Sequence, residues 1–199
     1  MSQADVWAVT PSVSATLLRA AAAAASAGAL TLLTNDVANN GCGYKIVITT
    51  TGDDRGITYT VVGVKVGDLS GALTTEVLTG PNNTTGSTTN FYTSLVSVTL
   101  SGAAAANVSV GTVGSLALPR CRIKGMHYVA GATAGSVKVN RNATTGTLIL
   151  QVDTPPVTAA AFAVSVTIPE DGILTTRGTT ADFAIVTLAV VTAVTLFCG

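Results

Sequence analysis

The sequence predicts an all-β chain, and three observations carry that expectation. Val, Ile and Thr dominate its strand-sized runs, and β-branched side chains pack well on a pleated surface. From Leu30 onward those runs alternate with a period of two residues, the spacing that puts successive side chains on opposite faces of a strand. Turns marked by Gly, Pro, Asn and Asp separate the runs at intervals of about 8–12 residues, as in a sandwich or barrel. The expected architecture is two antiparallel β-sandwich modules, Ig-like or jelly-roll-like, at 30–113 and 118–199. An N-terminal arm, 1–29, precedes them.

Within the arm, Val6-Trp7-Ala8-Val9 reads as a short strand carrying the only tryptophan, and Thr10-Pro11-Ser12 reads as a break. Ser14–Ala27 has two readings. Leu17, Leu18 and the alanines give it helical propensity, and the same residues suit an extended arm laid across a neighbouring chain. The first module then offers strands at 45–50, 57–64, 74–79, 91–100 and 107–110. Its turns fall at Thr51–Gly56, Gly80–Asn83 and Ser101–Ala103. Gly111–Leu118 reads as a linker, and Pro119 opens the second module. Strands follow at 120–129, 136–140, 147–152, 163–168 and 183–197, with loops at Pro155-Pro156 and Pro169–Gly172. A local echo, Gly102-Ala103 before Val108 and Val110 and Gly131-Ala132 before Val137 and Val139, suggests one small-residue hairpin per module.

Composition narrows the function. Charged residues make up 10% of the 199 residues, against about 25% in ordinary domains. Hydrophobic residues make up 48%, and mean hydropathy is +0.55. A chain of this size buries roughly two thirds of its unfolded surface, yet so few charges cannot clothe the remainder. Spare apolar surface calls for a membrane or a protein assembly. A spanning helix needs about 20 apolar residues in a row. Ala184–Phe197 is shorter and is interrupted by Thr187, Thr192 and Thr195, and Ala20–Ala25 is shorter still. No cationic segment followed by a Leu-rich core opens the chain, so no export signal is expected. Net charge is zero with no basic stripe, which argues against nucleic acid. Neither membrane nor nucleic acid is an expected partner.

Little in the sequence points to chemistry. The three cysteines, Cys42, Cys121 and Cys198, stand far apart and fit small buried hydrophobes in a reducing compartment; a metal site needs closer ligand pairs. His127 is the only histidine and has no Cys, Asp or Glu at ligand spacing, so a satisfied or interfacial role is expected. Asp53-Asp54 and Glu170-Asp171 are adjacent carboxylates in glycine-marked turns. Turn formation explains them better than acid–base work, and a weak Ca²⁺ site at Asp53-Asp54 is the residual alternative. Gly67-Asp68-Leu69-Ser70-Gly71 lacks the spacing of a nucleophile elbow, and no phosphate-cradling loop precedes a lysine. No catalytic residue, cofactor or metal is expected, and the chain reads as a non-enzyme.

A resemblance gives these features a setting. Thr51–Gly63, reading TGDDRGITYTVVG, resembles the "GDDxGITFTVTG" segment of many small tailed-bacteriophage virion proteins. Glu76–Asn82 is similar to their "ETVTGPN" segment. Phe91–Ala103, continuing to Asn107–Thr112, is similar to their "YFKTVTSVTVSGA…NVSVGT" ending. In the second module, Gly135–Val139, Ile168–Ile173 and Val194–Phe197 resemble another small capsid-associated β module. The resemblance implies β-sandwich modules attached to the virion, with no catalytic or ligand residues. The leading expectation is a capsid decoration (cement) protein on the outside of the head shell, made in the host cytoplasm. Its partners would be the major capsid protein and further copies of itself, as dimer or trimer. Interface residues are expected on the arm at Trp7, Leu17, Leu18 and the Ala20–Ala25 run, and at Phe183 on an edge strand after Gly178. A tail, neck or adaptor component is the second expectation. A host- or carbohydrate-binding module on a fibre is the third, and it asks that Trp7, Tyr44, Tyr59 and Tyr92 gather in space.

Overall fold

The computed structural model describes residues 5–9, 13–37, 42–68, 70–156, 163–168, 171–175 and 183–199, the first of these segments by its backbone alone. The described residues form strands and turns without a helix, and every paired strand is antiparallel. In chain order the strands are β1 (Asp5–Val9), β2 (Arg19–Ala23), β3 (Gly28–Ala29), β4 (Gly43–Thr50) and β5 (Thr58–Lys65). Then come β6 (Leu73–Thr79), β7 (Thr85–Leu100), β8 (Asn107–Leu118), β9 (Arg122–Ala130) and β10 (Gly135–Arg141). The remainder are β11 (Leu148–Thr154), β12 (Ala163–Thr167), β13 (Ile173–Leu174), β14 (Ala184–Ala189) and β15 (Val191–Cys198). Two compact units result. One is Val13–Gly114, and the other combines Met1–Ser12 with Ser115–Gly199.

In the Val13–Gly114 unit the strands run β8-β4-β7-β5-β6, with β2 on β8 and β3 on β7. The long β7 pairs β4 through its first half and β5 through its second. On β5 the alternation is clean. Tyr59, Val61 and Gly63 are buried, while Thr58, Thr60, Val62 and Val64 are partly exposed. Ile46, Ile48, Tyr92, Leu95, Val98, Leu100, Val108 and Val110 join them in the core, with Leu18 and Val37.

The second unit holds two sheet segments. β1-β15-β9-β12 form one, with β13 also on β9. β11-β10-β14 form the other, and β14 pairs the end of β8 at Leu116–Leu118. Ile123, Met126, Tyr128, Val137, Val139, Ile185, Val194 and Leu196 are among its buried apolar residues.

Four expectations change. The described residues of the arm are not a separate element, because β1 pairs β15 while β2 and β3 pair β8 and β7. The helical reading of Ser14–Ala27 is not realised: the segment is turn and irregular chain around a strand at Arg19–Ala23, where pairing with β8 and burial of Leu18 and Arg19 outweigh the high helix propensity of alanine. The linker at Gly111–Leu118 is the second half of β8, with Val110, Thr112 and Leu116–Leu118 buried. The expected strand 183–197 is two strands, divided at Val190, whose φ is +53°. The loop at Pro169–Gly172 and the start of the strand after Gly178 fall largely outside the described residues.

Candidate functional site

The two adjacent aspartates do not act together. Asp53 and Asp54 follow one another, and their side chains do different things. Asp53 is exposed and accepts from Arg55, Nε at 2.9 Å and Nη2 at 2.6 Å; those bonds hold its carboxyl down at about 2. Asp54 is buried and turned inward. Its Oδ1 accepts the Ala105 N–H at 2.7 Å and its Oδ2 accepts the Tyr59 hydroxyl at 2.5 Å. Burial, and then the Asp54 carboxylate, push the Tyr59 phenol well above its usual range. Nearby, Arg19 is buried and donates to the carbonyls of Val108, Ala22 and Ala23. The two aspartates share no ligand position, and no group of three His, Cys, Asp or Glu side chains converges among the described residues.

His127 is partly exposed on β9, and its Nδ1 lies 3.1 Å from the Ser165 hydroxyl across the β9–β12 pair. Among the described residues no carboxylate is bonded to either of these two side chains. Of the Glu170-Asp171 pair, Glu170 lies outside the described residues. The backbone carbonyl of Asp171 accepts Arg122 Nη1 at 2.7 Å.

Two features were not legible in the sequence. The first is Glu76 on β6. Its Oε1 accepts the Thr89 N–H at 2.5 Å and the Thr89 hydroxyl at 2.7 Å, and its Oε2 accepts the Asn90 N–H at 3.2 Å and Asn90 Nδ2 at 2.8 Å. The donors outweigh the partial burial and hold its carboxyl below the usual range. This carboxylate ties β6 to the first half of β7. The second is the pair Cys121 and Cys198, 77 positions apart in sequence, whose Sγ atoms are 3.1 Å apart inside the second unit.

A cleft of about 640 Å³ opens in the second unit, lined by Arg122 and Arg141 with Leu148, Ile149, Ile173 and Leu174 among its walls. Among the described residues its lining includes no aromatic ring. Tyr44, Tyr59 and Tyr92 are all buried, so none offers the exposed ring face that sugar stacking requires.

What the surface offers instead is uncharged sheet. Among the described residues β6 is the last strand of its sheet, and its Leu73 and Val77 are 58% and 59% exposed. Register puts Leu73, Thr75, Val77 and Thr79 opposite Val64, Val62, Thr60 and Thr58 of β5, with Ser97 and Thr99 of β7 beyond. All of these residues are partly or fully exposed, and none is charged. In the same unit Ala20–Ala23 and Ala25 are exposed.

The expected interface residues divide. Trp7 stands in β1 opposite Leu196, and its side chain lies outside the described part of the structure. Leu17 is exposed. Leu18 is fully buried and is a core residue, since its own backbone is drawn into the sheet by the Val110 carbonyl at 3.0 Å. Phe183 is half-buried, and its N–H donates to Asn142 Oδ1 at 3.0 Å. The strand that follows it, β14, is paired on both sides rather than at an edge. The apolar edge that sequence reasoning overlooked is β6, whose alternating TTEVLT pattern was visible but whose position last in the sheet was not.

Comparison with protein-family models, with curated proteins and with solved structures finds no match.

Proposed function

We propose that this chain is a structural, non-enzymatic virion protein, a capsid decoration protein whose two β units are sandwich-like modules. In this reading it binds between major capsid subunits and associates with further copies of itself. The observation that carries the reading is the uncharged Val/Thr face of β5 and β6, ending in an edge strand with Leu73 and Val77 exposed. Soluble proteins usually blunt such edges with charge, proline or a covering element. An edge left apolar suits strand addition or burial against a partner. Binding the assembled lattice and not its free subunits stabilises the lattice by mass action. Two contacts from one chain add avidity, because the second is effectively intramolecular.

The test is co-sedimentation of purified protein with head shells of the phage that encodes it. The wild type pellets to saturation with the shells. The Leu73→Asp, Val77→Asp double variant, folded by circular dichroism, stays in the supernatant. Equal binding by the double variant takes β6 out of the account, and a wild type that never pellets removes the decoration role.

A further inference from the structure

We propose that Cys121 and Cys198 are a disulfide-forming site, an intrachain bond that fastens the C-terminal strand β15 to the start of β9. The two sulfurs are in contact at 3.1 Å. A disulfide sets its sulfurs at about 2.0 Å, so closure asks for about 1 Å of movement.

The backbones around the pair are already fixed. The Cys121 N–H donates to Thr175 Oγ1 at 2.9 Å, and the Thr175 N–H returns a bond of 2.9 Å to the Cys121 carbonyl. Arg122 and Gly199 exchange N–H···O bonds of 3.2 and 3.0 Å, and Cys198 pairs Ile123. The register slips at Lys124, an extra residue on β9 between Gly125 opposite Phe197 and Ile123 opposite Cys198. Such a bulge sharpens local twist, which here accompanies the meeting of two side chains that stand diagonally across the strand pair. Cys42, buried in the other unit, has no part in this contact.

The exposure of the two sulfurs orders the chemistry. Cys121 is 9% exposed and Cys198 is 1% exposed, so an oxidant reaches Cys121 first. Hydrogen bonding from Cys198, helped by Thr175, lowers the Cys121 thiol below its usual range in spite of burial, which favours the attacking thiolate. The oxidant is a small-molecule disulfide, RS–SR. Cys121 Sγ attacks one of its sulfurs, forms a mixed disulfide and expels RS⁻. Cys198 Sγ then attacks Cys121 Sγ, forms the protein disulfide and expels the second RS⁻. The two thiol protons end on the two RSH products, and the two electrons have passed from the cysteines to the small disulfide.

The experiment treats the purified full chain with oxidised glutathione, denatures it, labels free thiols with a maleimide and reads intact and peptide masses. The reduced protein takes three labels, one per cysteine. The oxidised protein is expected to take one label, at Cys42, and to yield a linked peptide pair containing Cys121 and Cys198. Its second unit should also unfold at a temperature higher by about 5–10 °C, since the bond closes a long loop. The Cys198→Ala variant should stop at the mixed disulfide on Cys121. Three labels after prolonged oxidation, a wild type arrested with glutathione on Cys121, or a link that includes Cys42 would each overturn the proposal.

Discussion

The Tyr59 hydroxyl donates to Asp54 Oδ2 at 2.5 Å, and both residues are buried where the Thr51–Gly56 turn meets the start of β5. The Ala105 N–H supplies the other oxygen of the carboxylate at 2.7 Å, and Gly80 packs against the Asp54 backbone. One inward aspartate thus joins three turns of the Val13–Gly114 unit. Tyr59→Phe leaves a buried carboxylate oxygen without its donor and is expected to cost about 1–3 kcal/mol, read as a lower urea midpoint with an unchanged slope. Alkali gives a second readout. Tyr59 and Tyr92 both have folded values above the ordinary 10.0, and that of Tyr92 is pushed up to about 12. Below pH 10 both states keep the phenolic protons and stability is complete. Above it the unfolded chain releases protons that the folded chain retains, so stability falls as pH rises. Tyr59→Phe should make that alkaline fall shallower.

Glu76 gives the opposite slope. Its carboxyl sits below the ordinary value of 4.5 in the folded chain, so its contribution is present above that pH and is lost as the pH drops through its folded value. Glu76→Gln places an amide N–H₂ against the donors of Thr89 or Asn90. Because the carboxylate is partly solvated, the expected cost at neutral pH is about 1 kcal/mol. Hydrogen exchange should locate the loss in β6. The variant should also lose less stability than wild type as the pH falls below 4.5, the side on which the depressed carboxyl takes up its proton.

Val190 adopts a φ of +53° between β14 and β15, a conformation that β-branched residues rarely hold. The Gly131 N–H donates to its carbonyl at 3.0 Å, and a Cβ on Gly131 would collide with that same carbonyl. Val190→Asn is expected to relieve the strain and stabilise the second unit by about 1 kcal/mol, measured as a rise in its thermal midpoint. Gly131→Ala should act in the reverse direction.

Most strands were legible because half-buried antiparallel strands write their period directly into sequence, as Thr58–Val64 does. The failures have physical causes. Gly111 and Gly114 make 111–118 look like a linker, yet Gly111 sits inside β8 because the backbone of Ser14 and Ala15 packs where a Cβ would stand. Alanine at 20–23 carries no pattern of its own, so its strand form depends on β8, a partner distant in sequence. The site was less legible than the fold. The sequence points to an interface at Trp7, Leu17 and Leu18 on the arm and at Phe183 after Gly178, yet Leu18 belongs to the core. The contacts of Glu76 and of the cysteine pair are made across strands, and spacing along the chain does not encode them.

The decoration reading turns most directly on how many copies a particle holds. Quantitative mass spectrometry of purified virions, with the major capsid protein as internal standard, measures it. A protein that binds the repeating shell is expected to scale with the number of capsid subunits, on the order of hundreds of copies per particle. A count no larger than a single ring of subunits, or no copies in the washed particle, would contradict the account.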